Sequence, residues 1–138
     1  MVSVAATSMS GKSASRPAPS VVVGTGLEPR RPSGAAALDG LDLPAAFLLY
    51  VGRVDVNKGC AAMLGHFTRY LERGGPAITL VLAGPVHMPI SPHPHVRVLG
   101  FVSDEVREAL LDRATALMMP SPYESLSIAL LEGWNHGR

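Results

Sequence analysis

The chain has 138 residues, of which 17% are charged, and a formal net charge of +1. This length suits one compact domain, and a nearly balanced charge without a basic stripe of interleaved aromatic side chains argues against a nucleic-acid partner. The single cysteine excludes an internal disulfide framework, and the longest apolar run, residues 45–51, is too short to span a bilayer. Together with a start that lacks the apolar core of a secretory signal, these features predict a cytoplasmic protein.

The first 44 residues show no sustained apolar period. Residues 1–20 are rich in serine and alanine and are predicted to be a disordered tail. Residues 21–23 suggest a short strand, but the prolines and glycines that follow indicate that residues 21–44 are a linker or interdomain segment. We therefore expect the compact region to span residues 45–138.

Strands and helices alternate within that region. Two continuously apolar runs, residues 47–51 and 78–83, each end at a glycine and are typical of buried parallel strands. Residues 96–100 receive the same interpretation, and residues 116–119 are predicted to be a fourth strand.

Helical patterns fill the gaps between these strands. The first predicted helix spans about residues 60–73. Its expected buried face consists of Ala61, Leu64, Phe67 (or Thr68) and Leu71. Ser103 is predicted to cap a second helix, and a third is predicted to run from about Ser125 to the last residue.

This order predicts an α/β fold, a Rossmann-like parallel sheet with helices on both faces. Ligands of such sheets bind beyond the carboxyl ends of the strands. Those ends carry Gly52-Arg53, Gly84, Gly100-Phe101 and residues 121–124. The sequence therefore predicts a binding site at this edge of the sheet.

Two cations and two acids at this edge suggest the kind of ligand. Arg53 and Lys58 flank a loop that leads into a helix, which suits a diphosphate, although an ordinary solvated loop would carry the same charges. Glu124 and Glu132 are expected about 12 Å apart along one helix, too far for an acid/base couple and suited to a long ligand. A nucleoside diphosphate sugar, anionic in the middle with hydroxyls at both ends, would match.

Three motifs together resemble the retaining glycosyltransferases of family 4. They are Gly52-Arg53 with Lys58-Gly59, then residues 98–102, then Pro120-Ser121-Pro122-Tyr123-Glu124 with Glu132. The resemblance covers about residues 46–138 and corresponds to the C-terminal, donor-binding domain of a two-domain GT-B fold. It implies a hexosyltransferase-type enzyme that moves a sugar from a nucleoside diphosphate sugar to an acceptor with retention.

The resemblance also implies roles for individual residues. Arg53 and Lys58 would hold the diphosphate and neutralise the leaving group, and with Glu124 they are the expected catalytic residues. Glu124 would contact the donor sugar, and Glu132 would contact the ribose. The donor-binding set is completed by Gly52, Val102, Ser125, Leu126 and Ser127, mainly through backbone groups. No metal or other cofactor is expected, since the family usually needs none and the chain has no Asp-x-Asp motif.

Departures from the family pattern leave alternatives open. Many relatives carry glycines where this chain has Ser125 and Ser127. By this resemblance we expect an incomplete GT-B half, without the acceptor domain and the last part of the sheet, that does not transfer sugar alone. The expected partners are the sugar nucleotide, an unidentified sugar, lipid or small-molecule acceptor, and the missing domain, through which any peripheral membrane contact would come. A nucleotide- or phosphosugar-binding module without catalysis, or a poorly folding remnant with an exposed sheet edge, are the alternatives.

Several other residues receive structural interpretations. His87, His93 and His95 share a proline-rich loop without a cysteine or an acid, which favours an exposed turn over a metal site. Trp134 and His136, on the last predicted helix, are expected to pack against the missing part of the fold.

Overall fold

The computed structural model describes Val21, Gly26, Leu27, Pro29 and residues 34–138. The predicted tail at residues 1–20 and most of the predicted strand at residues 21–23 lie outside this part of the chain. Within residues 34–138, four strands form one sheet in which all pairs are parallel. They are β1 (Phe47–Val51), β2 (Thr79–Ala83), β3 (Val96–Gly100) and β4 (Ala116–Leu117). The predicted Rossmann-like parallel sheet is confirmed.

The burial of each strand follows its place in the order β3-β2-β1-β4. β1 and β2 lie in the centre and pair from Phe47 opposite Thr79 to Val51 opposite Ala83, and both are mostly buried. Strands covered on both faces need apolar side chains throughout, which explains their unbroken apolar runs. β3 is an edge strand and is largely exposed or half-buried, so the prediction of a third buried strand is wrong in its burial.

Three α-helices accompany the sheet: α1 (Cys60–Glu72), α2 (Asp104–Arg113) and α3 (Ile128–Asn135). Short 3-10 turns lie at Ala35–Leu38 and Val56–Lys58. Ser103 caps α2 as predicted, because its hydroxyl accepts from the amide of Val106 at 3.3 Å. The predicted buried face of α1 is confirmed at Phe67, and Leu64 and Leu71 are half-buried against the same core. The prediction is wrong at Ala61, which is exposed, whereas Cys60 and Met63 are buried.

Helices cover both faces of the sheet. One core lies between the sheet and α1 and includes Tyr50, Phe67 and Leu80. The other core lies between the sheet and α2 and includes Phe47, Val81 and Leu110. Leu38, from the segment predicted to be a linker, is buried in this second core.

The strand order identifies where the chain changes direction across the sheet. The chain steps from β1 to β2 to β3 in one direction, and α2 then carries it back past β1 to β4. The point of reversal therefore lies between β1 and β4, and a crevice at such a point, outside the carboxyl ends, is where open α/β sheets bind ligands. None of the helices in the described part of the chain combines the length and the apolar content needed to cross a membrane.

Candidate functional site

The loop after β1, residues 52–59, is anchored to that strand by a hydrogen bond from the buried side chain of Tyr50. The hydroxyl of Tyr50 donates to the carbonyl oxygen of Arg53 at 2.8 Å, and burial raises the pKa of this phenol. Asp55 starts the following 3-10 turn by accepting from the amide of Asn57 at 2.7 Å. The side chain of Arg53 remains 52% exposed, with Nε 3.6 Å from Asp55 Oδ2. Its guanidinium is therefore anchored at one edge and open to a ligand.

The same loop contacts the chain that leaves β4. Gly59 has φ +75° and a Cβ at this position would overlap the carbonyl oxygen of Pro120, so only glycine fits the crossing. Just before it, Lys58 Nζ donates to Glu124 Oε2 at 3.2 Å. The two side chains are 36% and 30% exposed. The structure thus brings together a cation and an acid that the sequence places 66 residues apart.

Residues 121–127 form a loop and not the start of a helix. Ser127 caps α3, because its hydroxyl accepts from the amide of Leu130 at 3.2 Å. The same hydroxyl lies 3.9 Å from Sδ of Met119, which follows β4. The prediction that α3 begins at Ser125 is therefore wrong, and the first-turn amides are not those of residues 125–127. Ser125 and Leu126 are exposed loop residues.

Glu124 and Glu132 do not lie on one helix, so the predicted separation of about 12 Å along a helix is wrong. Glu124 precedes α3, so the helical rise does not measure its separation from Glu132. Glu132 lies within α3 and its Oε1 accepts from Arg107 Nη1 of α2 at 2.7 Å. Glu132 therefore pairs with Arg107, whereas Glu124 pairs with Lys58, so the two glutamates belong to separate ion pairs.

A cavity of about 410 Å³ lies beside this second pair, between α2 and α3. It is lined by charged residues of both helices and by less polar residues of an earlier segment. The lining residues are Gly26, Leu27, Pro29, Asp104, Arg107, Glu108, Ile128, Glu132, Asn135 and His136. This lining includes neither Lys58 nor Glu124, so the candidate site is described in two parts, a loop end at Lys58 and Glu124 and a helix end at Arg107 and Glu132.

A buried histidine fastens the helix end. His136 is 6% exposed, with Nδ1 2.7 Å from Asp112 Oδ1 and Nε2 3.1 Å from Glu108 Oε2. The expectation that His136 packs against the missing part of the fold is wrong, since its partners are two acids of α2. Trp134, by contrast, is 63% exposed.

Sequence reasoning missed Arg107 and the partners of His136. The first turns of α2 carry Asp104, Glu105, Arg107 and Glu108, a composition that resembles a solvated helix surface. The available signal was the four-residue spacing of Glu132 and His136, which places both on one side of α3. Their partner helix could not be identified from that spacing.

The remaining predicted donor-binding residues lie at the same end of the sheet. Gly52, with φ +142°, donates its amide to Ala83 at 2.9 Å, which keeps the ends of β1 and β2 in register. Val102 is half-buried against the core between β3 and α2. No group of three or more His, Cys, Asp or Glu side chains in the described ranges is arranged to hold a metal ion.

Comparison with known proteins identifies the family of this chain. Residues 45–138, well over half of the chain, match the family described as glycosyl transferases group 1. No curated protein matches the chain. The matched region includes the four strands, the three α-helices and both ends of the candidate site. The chain therefore belongs to the group 1 glycosyltransferases.

Proposed function

We propose that this chain is the donor-binding half of a retaining, family 4 glycosyltransferase of the GT-B type, and that it binds a nucleoside diphosphate sugar. The observation that carries the proposal is the pairing of Lys58 with Glu124 at the point where the strand order reverses. At this place one ligand could contact both side chains. Its phosphate would bind the cation, and its sugar hydroxyls would donate to the acid.

The loop end would carry the chemistry. When the bond between C1 of the sugar and the diphosphate oxygen breaks, the oxygen keeps the bonding electrons. Arg53 and Lys58 would stabilise this charge, and Glu124 would hold the sugar through its hydroxyls. Because the Lys58–Glu124 pair is partly exposed, exchanging it for contacts with a ligand costs little.

The helix end would bind the nucleoside. Glu132 lines the cavity between α2 and α3, and its carboxylate is a suitable acceptor for ribose hydroxyls. Apolar side chains such as Leu27 and Ile128 also line this cavity and would face the flat surface of a base. Backbone groups near Val102 and in residues 125–127 complete the proposed donor site.

Isothermal titration calorimetry with UDP, GDP, ADP and their glucose conjugates tests the proposal. We expect at least one nucleoside diphosphate to bind, and Arg53→Ala and Lys58→Ala each to weaken it by about 10- to 100-fold, the value of one charge-assisted hydrogen bond. Arg69→Ala, which removes an exposed cation of α1, is the matched control and should leave binding unchanged. Failure of all these ligands to bind, or equal losses in the control, would overturn the proposal.

A transfer assay separates an enzyme from a binding module. Because the chain alone is expected not to transfer sugar, the assay is run with and without a supplied acceptor domain. Transfer in either case, with the anomeric configuration kept, would support the transferase. Binding without transfer even when that domain is supplied would favour the module.

A further inference from the structure

We propose that Arg107 is a positioning residue for the ribose end of the donor. It fixes the carboxylate of Glu132 toward the cavity between α2 and α3, so that the site selects nucleotides whose ribose carries its hydroxyls. This inference rests on the proposed donor-binding function and adds a residue to it.

The first step of the argument is the geometry of the pair. Arg107 Nη1 and Glu132 Oε1 are 2.7 Å apart, the short distance typical of a charge-assisted hydrogen bond. A carboxylate can accept about four hydrogen bonds. Among the described residues, Arg107 provides the hydrogen bond that Glu132 accepts, which leaves capacity for two hydroxyl groups of a ligand.

The second step is that Arg107 is itself fixed. Its Nη2 lies 3.6 Å from Asp104 Oδ1 and 3.7 Å from Glu108 Oε1, and the other oxygen of Glu108 contacts the buried ring of His136. The guanidinium therefore has little freedom to rotate, and the carboxylate that it holds is oriented in advance. Orientation before binding reduces the entropy that a ligand contact would otherwise cost.

The third step is an unsatisfied donor. Arg107 Nε is buried, and no acceptor in the described part of the chain lies within hydrogen-bond distance of it. Because this atom has almost no accessible surface, a ligand in the cavity does not reach it, and an unpaired buried donor costs the fold free energy. The side chain therefore keeps its contact with Glu132 although Nε stays without a partner.

A role confined to joining α2 and α3 would make a different prediction. In that case loss of Arg107 would weaken every ligand in proportion to the damage to the fold. A positioning role instead changes the contribution of the ribose hydroxyls alone. The informative quantity is therefore a ratio of affinities, for a ribonucleoside diphosphate over its 2′,3′-dideoxy analogue, measured in one variant.

The experiment is calorimetry of the full chain with both analogues of whichever of UDP, GDP or ADP binds. For the wild type we expect the ribonucleotide to bind about 10-fold more tightly. Arg107→Gln and Glu132→Gln should each reduce the ratio to within about twofold, and Arg107→Lys, which keeps the charge, should restore part of it. Arg113→Gln, an exposed position in the last turn of the same helix, should keep the wild-type ratio.

The outcomes separate the two proposals. A wild type that binds neither analogue overturns the proposed function and this inference with it. A wild type that binds both equally, or an Arg107→Gln variant that loses affinity but keeps the ratio, overturns the inference and leaves the donor site in place.

Discussion

The two ends of the candidate site use the same kind of ion pair in opposite surroundings. At the loop end, Lys58 and Glu124 meet at 3.2 Å on two loops, and both are about one-third exposed. At the helix end, Arg107 and Glu132 meet at 2.7 Å between two helices, in a network that continues to buried His136. An exposed pair between loops is worth little energy and can be exchanged, whereas a partly buried network between helices is costly to break. The contacts at the loop end can therefore be exchanged for contacts with a ligand, whereas the contacts at the helix end are fixed.

The assignment agrees with what a sugar nucleotide would require of each end. The diphosphate and sugar enter and leave at each turnover, and the partly exposed Lys58–Glu124 pair can open to admit them because an exposed ion pair costs little to break. The nucleoside does not react, and a rigid receptor binds it with the smallest loss of entropy. Substitutions at one end at a time should therefore have different effects, with a large loss of stability at the helix end and a change in ligand binding at the loop end.

The largest effect is expected from His136→Ala at the helix end. The ring is almost fully buried and contacts acids at two positions of α2, so its removal leaves Glu108 and Asp112 without that partner. Losing two hydrogen bonds between carboxylates and a buried ring should cost about 3 kcal/mol of the free energy of unfolding. Urea denaturation followed by circular dichroism measures the change.

His66→Ala is the matched control for this measurement. His66 lies exposed on α1, so its removal should change stability by less than about 0.5 kcal/mol. If His136→Ala cost no more than the control, the network would not be the fixed part of the site and the comparison would fail.

A smaller effect is expected from Gly59→Ala at the loop end. The residue has φ +75°, which strains an alanine, and the new Cβ would overlap the carbonyl oxygen of Pro120. Together these should cost about 2 kcal/mol and move Lys58 away from Glu124. Denaturation measures the stability, and titration with the nucleoside diphosphate measures the loss of the site.

Gly74→Ala separates the two causes, because Gly74 has φ +79° and no atom within 4 Å of its Cβ position. This control should show the conformational cost alone, about 1 kcal/mol. Equal costs at both glycines would mean that the close approach of Pro120 does not hold the loop end together.

Much of the fold could be predicted because its signals are local. The central strands are continuous apolar runs, and Ser103 followed by acids predicts the start of α2. The start of α3 was harder, since Ser125 and Ser127 are equally good caps by residue type. The Ser127 hydroxyl also lies 3.9 Å from Met119 Sδ, a contact with the segment after β4 that residue type alone does not reveal. The exposure of β3 was likewise decided by its place at the sheet edge.

Some residues of the candidate site could likewise be predicted from the sequence, and others could not. The positions of Arg53, Lys58 and Glu124 at one edge followed from the rule that parallel strands end together. The partner of Glu132 could not be predicted, because Arg107 lies among acids on a helix that reads as solvated and its contact crosses 25 residues of sequence. Contacts between two helices depend on how the helices pack, which a periodic pattern in either one does not reveal.

The smallest change in stability is expected from Glu124→Gln, which tests the loop end directly. An exposed pair contributes less than about 0.5 kcal/mol, and salt should reduce even that. The effect on binding should differ between the two ligands. Lys58, freed from its partner, should bind the nucleoside diphosphate at least as tightly as before, whereas the affinity for the diphosphate sugar should fall about 10-fold because its hydroxyls lose a charged acceptor.

The matched control is Glu72→Gln, at an exposed acid near the end of α1, which should change the affinity for neither ligand. A stability loss above about 1.5 kcal/mol would show that the pair is structural, since only buried or networked ion pairs reach that size. Equal losses for both ligands would mean that Glu124 does not contact the sugar, and the division of the site into an exchangeable and a fixed end would then rest on the helix end alone.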